Sequence, residues 1–292
     1  MARDPQELLG KIAAIPPLPA IASRILELAD NENTSALELA NVVSADQGLT
    51  SQLIKASNSS FYGFSRRVTT VREAIVLLGF KQVRQMSVSA SIMKTFRQRS
   101  PDDLFNMDLF WGHSVVVAII SECLARATRA AKPEDAFTAG ILHDIGRLVL
   151  YQELPLEFNK AMELAATSNI PLAEAELLVT GYAHDEVGRA LGDLWRFPEH
   201  LVEALGAHHD DGLTIERHGV AGIVSLANRL SWHYGLFCGY DASAEIGGDG
   251  TIPPDLAKIE KLCGGMETVL DRALYFIEAA SGTPGQWFSQ AS

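Results

Sequence analysis

The chain has 292 residues, of which 47% are hydrophobic and 21% are charged, and its formal net charge is -12. This composition is ordinary for a globular protein and argues against wholesale disorder. The acidic balance argues against a duplex-binding surface, because neutralising phosphates requires clustered Lys and Arg. We therefore expect no nucleic-acid partner.

The cysteines and the N-terminus indicate the cellular compartment. Cys123, Cys238 and Cys263 form no C-x-x-C pair, which suits buried thiols in a reducing cytoplasm. The N-terminus begins polar and lacks the apolar core of a signal peptide. No run reaches about 18 consecutive apolar residues, so no membrane span is predicted. We expect a cytoplasmic protein with no membrane partner.

Helical periodicity dominates the first hundred residues, and no convincing strand interrupts it. Predicted helix starts are marked by Ser35 with Glu38 as a capping box, by Asp46, and by Thr70 with Glu73 as a second capping box. Gly79 is expected to end the helix that starts at Thr70. Val83, Met86, Ala90 and Met93 then mark one face of a longer helix. These signals predict a bundle of about five helices.

A break at Ser100-Pro101-Asp102-Asp103 separates this bundle from the rest of the chain. A long amphipathic helix is predicted from about Asp108 to Ala130, and Pro133 starts the next one. Further helices are predicted at about 156–167, 171–178, 183–195, 198–207 and 216–233, with Pro198 at position N1, and two closing helices follow near Leu262 and over 270–277. We expect three parts: residues 1–104, 105–235 and 236–292.

The stretch Ile141-Leu142-His143-Asp144-Ile145-Gly146-Arg147 places a histidine and an aspartate side by side in apolar surroundings. Successive side chains on an ideal helix are about 100° apart, so they do not share a face. Both can bind one metal ion only near a bend or a helix terminus, and Gly146 supplies a candidate bend. The question is whether other ligands converge there.

Six residues are candidate metal ligands, and they are spread over separate helical segments: His113, His143, Asp144, His184, His208 and His209. Imidazole and carboxylate groups bind Zn, Fe, Mn and Ni, and a carboxylate can bridge two ions. Helical bundles build metal sites from such inward-facing side chains. Each residue alone has a structural alternative, as a hydrogen-bonded core histidine or a solvated helix end. His200, His218 and His233 lack such a pattern.

The combination resembles a known family. His113-Ser114 with Val117-Ala118, followed by Leu142-His143-Asp144-Ile145-Gly146-Arg147, looks like the HD superfamily of metal-dependent phosphohydrolases. Ala183-His184-Asp185 with Gly188, Trp195 with Pro198, and Ala207-His208-His209 look like the HD-GYP branch and its relative, the HDOD domain. The N-terminal half favours HDOD through Leu18-Pro19, Asp46-Gln47-Gly48-Leu49, Leu53-Ile54-Lys55 with Asn58-Ser59, and Ala74-Ile75 with Leu78-Gly79. The resemblance covers about residues 10–235.

The resemblance implies an all-α fold in which an N-terminal helical bundle packs against an HD-like helical domain, with extra C-terminal helices. It also implies one or two divalent transition metal ions (Fe, Mn, Zn or Ni) on the six ligands, with Asp144 bridging if two ions bind. Asn228 stands where the hydrolases place a final aspartate. A neutral amide is a weaker ligand, which puts half of a dinuclear site in doubt.

Two further departures concern catalysis. The sequence after His209 runs Asp210-Asp211-Gly212-Leu213 and lacks the glycine-tyrosine-proline loop with which HD-GYP enzymes form a cyclic dinucleotide pocket. Arg147 stands where active hydrolases carry a lysine beside the substrate phosphate, although arginine also binds phosphate. If the chain is an enzyme, Asp144 and Arg147 are its candidate catalytic residues.

The resemblance therefore implies a bacterial signal-transduction and interaction protein with a metal-competent, non-catalytic pocket and a signalling protein as partner. Phe61, Tyr62 and Phe64 beside Arg66 and Arg67 form a candidate contact patch, with a buried aromatic loop as the alternative. Two other interpretations of the histidines and of the function stay open. In one the histidines are a metal-free core, and in the other the chain is a metal-dependent phosphohydrolase that binds a nucleotide or a cyclic dinucleotide.

Overall fold

The computed structural model describes residue 10 and residues 18–29, 35–58, 66–96, 104–210, 212–234 and 261–281. Over these residues the regular structure is helical and contains no β-strand, which confirms the all-α prediction. The helices are α1 (Ala20–Ala29), α2 (Ala36–Ser44), α3 (Gln47–Ser57), α4 (Val71–Leu78), α5 (Phe80–Met93), α6 (Met107–Thr128), α7 (Pro133–Leu142), α8 (Ile145–Glu153), α9 (Pro155–Ser168), α10 (Leu172–Thr180), α11 (His184–Leu194), α12 (Glu199–Ala207), α13 (Ile215–His233) and α14 (Met266–Ser281).

The described residues divide into two compact units, of which the first contains α1 to α5 and the part of α14 from Asp271 onward. Two of its predicted helix starts are confirmed. The Ser35 hydroxyl accepts from the Glu38 N–H at 3.2 Å, and the Glu38 carboxylate accepts from the Ser35 N–H at 2.8 Å. Asp46 accepts from the Leu49 N–H at 2.8 Å. These bonds satisfy donors that a helix start leaves without partners.

The start of α4 differs from the predicted capping box. The Thr70 hydroxyl accepts from the Glu73 N–H at 3.1 Å, as expected. The Glu73 carboxylate, however, accepts from the N–H and the hydroxyl of Thr69, at 2.7 and 3.0 Å, one residue before the helix cap. Gly79 ends α4 with φ 90°, a backbone conformation that favours glycine.

Helix α5 is the centre of this unit, since it contacts each of α1 to α4. The sequence predicted one apolar face for it. Instead, every residue from Val83 to Met93 is buried. A helix surrounded on all sides buries its polar residues as well as its apolar ones, which is why periodicity alone underestimated the covered surface.

The second unit contains α6 to α13. Helix α6 contacts both α7 and α13. It is long and apolar enough to cross a membrane by length and composition, but 83% of its apolar window is buried inside the fold. That burial is typical of the core helix of a soluble protein. Gly140 permits the close packing of α7 on α6, because a Cβ there would lie 2.6 Å from the Ala118 Cα.

Two details of this unit differ from the prediction made from the sequence. Pro198 precedes α12 as its cap residue and is not at position N1, because its ψ of 143° is extended and not helical. Helix α13 contains Gly219 at φ 49° and ψ -112°, which kinks it one turn after its start.

Several predictions fall on residues outside the described ranges. These are the first boundary at 100–103, the start of the C-terminal part, and the aromatic residues Phe61, Tyr62 and Phe64. The three-part division of the chain therefore stays a prediction.

Candidate metal centre

The structure brings all six predicted ligands together in the second unit. They form two overlapping groups whose donor atoms lie within 4.8 Å of one another: Asp144, His184, His208 and His209 in the first, and His113, His143 and Asp144 in the second. The side chains are buried, except that of His209, which is half-buried. Whether they bind an ion stays a prediction.

The His143–Asp144 pair lies at a break between two helices. Helix α7 ends at Leu142 and α8 begins at Ile145, and Asp144 between them has φ -95° and ψ 9°. The bend therefore lies at Asp144 and not at Gly146, where the sequence suggested it. Gly146 has a different role, since a Cβ there would collide with the His184 carbonyl oxygen. Its missing side chain allows α8 to pack directly on α11.

Asp144 lies between the two groups of histidines. Its Oδ1 atom is 3.3 Å from Nε2 of His184 and 3.3 Å from Nε2 of His208. Its Oδ2 atom is 3.5 Å from Nε2 of His143 and 3.9 Å from Nε2 of His113. One carboxylate thus faces both groups, with a different oxygen toward each.

The tautomers of two histidines follow from their outer contacts. Nδ1 of His143 lies 2.8 Å from the Gly140 carbonyl, and Nδ1 of His208 lies 3.0 Å from the Leu205 carbonyl. Because a carbonyl can only accept, each Nδ1 carries the proton. Each Nε2 then presents a lone pair to the site.

A hydrogen bond to α13 likewise fixes the tautomer of His113. The Ser231 hydroxyl donates to the Asn228 carbonyl at 2.7 Å, so its oxygen accepts from Nδ1 of His113 at 3.2 Å. The Asn228 side-chain oxygen accepts from the Trp232 indole N–H at 2.9 Å. Where the hydrolases carry an aspartate, this chain has an amide whose oxygen already accepts a hydrogen bond.

Two further buried charged groups complete the site. Nη1 of Arg147 donates to Asp144 Oδ2 at 2.6 Å, and its Nε lies 3.6 Å from Glu176 Oε1. Glu176 Oε2 accepts from the His184 backbone N–H at 3.0 Å and lies 2.6 Å from its Nδ1. Asp144, Arg147, Glu176 and His184 thus form a closed loop of alternating charge, which we call the charge ring.

Glu176 was not predicted as a site residue, although its position on a helix indicates that it is buried. On α10 it lies four residues after Leu172 and one after Ala175, which are the buried positions of an amphipathic helix. A carboxylate there is fully buried, and burial of a charge requires compensating partners.

Contacts within the site shift the pKa values of His184 and Asp144, two members of the charge ring. Burial and Arg147 lower the pKa of His184, but the carboxylates of Glu176 and Asp144 outweigh them and raise it to about 10. Burial raises the pKa of Asp144, yet Arg147 and the nearby histidines bring it well below its usual range. Burial lowers the pKa of both His143 and His209, and neighbouring imidazoles lower it further.

The first group of donors fits a divalent transition metal ion. Nε2 of His184 lies 3.0 Å from Nε2 of His209 and 3.4 Å from that of His208. A tetrahedral zinc site with bonds of about 2.0–2.1 Å separates its ligands by roughly 3.3 Å. Three imidazoles and one carboxylate oxygen are also the donor types that Zn, Fe, Mn and Ni accept.

Three of the solved structures that are similar to this chain share 24% sequence identity with it. An HDOD domain protein of unknown function from Geobacter sulfurreducens has a TM-score of 0.73, covering 95% of both chains. A candidate signal transduction protein from Marinobacter aquaeolei VT8 has a TM-score of 0.72, covering 94% of this chain and 62% of that one. A candidate phosphohydrolase from Shewanella amazonensis SB2B has a TM-score of 0.68, covering 94% and 97%. At this identity the likeness shows the fold alone.

The curated relatives are longer than this chain, which spans 39% of the length of one and 36% of another. The HDOD domain model matches residues 15–211 of the 292. The match includes the N-terminal helices α1 to α5 and all six predicted metal ligands, of which His209 is the last in the chain. The chain therefore belongs to the HDOD domain family.

Proposed function

We propose that this chain is a cytoplasmic bacterial signalling module that binds one divalent transition metal ion and acts through a protein partner, without turnover. The observation that carries the metal proposal is the direction of the imidazoles. His143 and His208 donate outward through Nδ1 to backbone carbonyls, so their Nε2 lone pairs converge on Asp144. In the first group, Nε2 of His208 and Oδ1 of Asp144 lie 3.3 Å apart; their lone pairs repel one another, and an ion bound between them would relieve that repulsion.

We propose one ion, held by Asp144, His184, His208 and His209. The other group offers only two imidazoles and Asp144 Oδ2, which already accepts from Arg147 at 2.6 Å. Asn228 adds no charge there, and its oxygen accepts from Trp232. A second ion would therefore displace a buried guanidinium from its carboxylate.

The burial of Arg147 supports the absence of turnover. An arginine that contacts a substrate phosphate must be reachable, but this side chain is fully buried and engaged with two carboxylates. Most of the surrounding ligands are buried as well. A phosphodiester would require the site to open before it could reach the ion.

The alternative function is a metal-dependent phosphohydrolase that acts on a nucleotide or a cyclic dinucleotide. The complete donor set of the first group favours it, and so does the fold shared with a candidate phosphohydrolase. A metal-bound hydroxide would then be the nucleophile. The burial of Arg147 and the amide at Asn228 count against it.

Metal analysis of protein purified without an affinity tag tests the first part of the proposal. We expect about one equivalent of Zn, Fe, Mn or Ni per chain by elemental mass spectrometry, because four protein ligands complete one tetrahedral site. His208→Asn should lose the ion, and His218→Asn, a change at a half-buried histidine of α13 that belongs to neither group, should retain it. A wild-type chain that stays metal-free after incubation with each of these ions would refute the proposal.

Hydrolysis of bis(p-nitrophenyl) phosphate and of cyclic di-GMP by metal-loaded protein separates the two functions. We expect no rate above that of the variant His143→Ala, Asp144→Ala. A metal-dependent rate that this variant lacks would establish the enzyme and overturn the non-catalytic proposal.

An exposed groove in the first unit is our proposed partner surface. Three arginines and one carboxylate line it beside apolar residues: Arg66, Arg67, Arg72, Glu73, Val68, Val76 and Leu77. The exposed fractions of Val76 and Leu77 are 82% and 44%. Clustered guanidinium groups beside apolar side chains favour an acidic segment with apolar residues as the occupant. A fluorescent peptide of that composition should bind, and Arg67→Glu with Arg72→Glu should abolish binding. Unchanged binding would exclude this groove.

A further inference from the structure

We propose that Glu176 is a positioning residue of the metal centre, which fixes His184 so that its Nε2 atom faces the ion. The proposal rests on the metal binding proposed above. It assigns a role to a carboxylate that is itself no ligand in the proposed site. Glu176 lies on α10, a helix that contributes none of the six predicted ligands.

One oxygen of Glu176 holds His184 at two points. Oε2 accepts from the backbone N–H at 3.0 Å and lies 2.6 Å from Nδ1 of the ring. The first bond fixes the start of α11, and the second fixes the rotation of the imidazole. Because Nδ1 faces a carboxylate, Nε2 is the atom left to face Asp144 Oδ1, 3.3 Å away.

His184 differs from its neighbours in the charge of this outer partner. His143 and His208 use neutral backbone carbonyls as their Nδ1 acceptors. His184 alone among these three uses a carboxylate. A carboxylate makes the imidazole a stronger electron donor and fixes its tautomer, so it raises metal affinity more than a carbonyl does.

Glu176 also reaches Asp144 through the charge ring. Its Oε1 atom lies 3.6 Å from Nε of Arg147, whose Nη1 donates to Asp144 Oδ2. A simpler role would be to neutralise the buried guanidinium without affecting the metal ligands. The two roles differ in one respect, since only the positioning role depends on His184.

Titration with Co(II), followed by visible absorption in competition with a chelator, measures this dependence. We expect Glu176→Gln to raise the Kd for Co(II) by about 10- to 100-fold, the usual effect of losing an outer partner of a ligand. Glu174→Gln is the matched control, because this residue is exposed on the same helix, and its Kd should stay within twofold of wild type.

The same substitution is then made in two variant backgrounds. In His209→Asn, Glu176→Gln should weaken Co(II) binding by the same factor as in wild type. In His184→Asn, most of that factor should disappear, because the ring that Glu176 positions is gone. Equal weakening in both backgrounds would show a general structural role and overturn the proposal.

A measurement on the wild-type chain covers the case in which Glu176→Gln fails to fold. In protein labelled with ¹⁵N-histidine, a short N–H to carboxylate bond should give a strongly downfield imidazole proton that is lost in His184→Asn. Its absence would overturn the inference. A wild-type chain that takes up no Co(II) refutes the proposed function itself, whereas normal uptake by both wild type and Glu176→Gln refutes only the role of Glu176.

Discussion

Nη1 of Arg147 lies 2.6 Å from Oδ2 of Asp144, and both side chains are buried. The two residues are one helical turn apart, with Asp144 just before α8 and Arg147 in its first turn. A guanidinium in this position provides the positive charge that the buried carboxylate requires. The metal-free protein can therefore hold Asp144 in its ionised form, ready to bind a cation through the other oxygen.

We predict that Arg147→Met lowers the free energy of unfolding of the metal-free protein by about 3–5 kcal/mol, because it removes the buried guanidinium that faces both Asp144 and Glu176 and leaves His184 as the one cation of the charge ring. Arg126→Met is the control, since its ion pair with Glu122 involves an arginine that is 68% exposed, and it should cost about 0–1 kcal/mol. Urea unfolding in EDTA measures both. Equal losses would show that burial of Arg147 has no energetic consequence.

The packing of α8 on α11 gives a second prediction. A Cβ on Gly146 would collide with the His184 carbonyl oxygen and lie 2.7 Å from the Gly188 nitrogen. Gly146→Ala should therefore destabilise the fold by about 3 kcal/mol, the upper end of overpacking effects, and should weaken metal binding. On the facing helix, a Cβ on Gly188 meets nothing closer than 3.6 Å, so Gly188→Ala should stay within about 1 kcal/mol of wild type. Thermal unfolding that ranks the two variants the other way would contradict this packing.

A third prediction concerns pH. The folded-state pKa of His184 is raised to about 10 from the ordinary 6.5. Its protonated form therefore contributes stability that is fully present below about pH 6.5 and is lost as the pH rises toward 10. Urea unfolding of the metal-free protein should show stability falling over this range, and His184→Asn should remove most of the slope. A wild-type slope that persists in the variant would assign the effect elsewhere.

A fourth prediction separates the two groups of histidines. If a single ion lies on the first group, His208→Asn removes a ligand and should raise the metal Kd by more than about 100-fold. His113→Asn removes only a neighbour of the site and should cost about 10-fold or less, the lower end for groups outside the ligand set. Competition titration with Zn(II) measures both constants. Equal losses would indicate that both groups share the ion or that two ions bind.

Much of the fold follows from local signals in the sequence. Ser35, Asp46 and Gly79 mark helix ends through bonds or backbone angles that depend on their own residue types, so the sequence predicts them well. The burial of α5 on all sides depends on four other helices, and no pattern within α5 encodes it. The kink at Gly219 was not predicted either, because the sequence around a glycine inside an apolar helix does not reveal the φ angle of that glycine.

The candidate site likewise has features that the local sequence predicts and features that it does not. The six candidate ligands could be listed from the sequence because their residue types and motifs stand out. The bonds that orient them could not, since they join residues distant in sequence, such as Ser231 and His113, or use carbonyls that every residue has. Arg147 is an example of what the sequence can and cannot predict. Its position matched a motif, but its burial against Glu176 depends on how α8 and α10 are placed.

The charge ring also bears on how this unit folds. Its members come from the region before α8, from α8 itself, from α10 and from α11, and each is costly to bury without the others. An intermediate with only two of these segments docked would contain unneutralised charge in a dry interior, so it would be poorly populated. We therefore expect the amide hydrogens of α8, α10 and α11 to exchange together, in one cooperative opening of the unit.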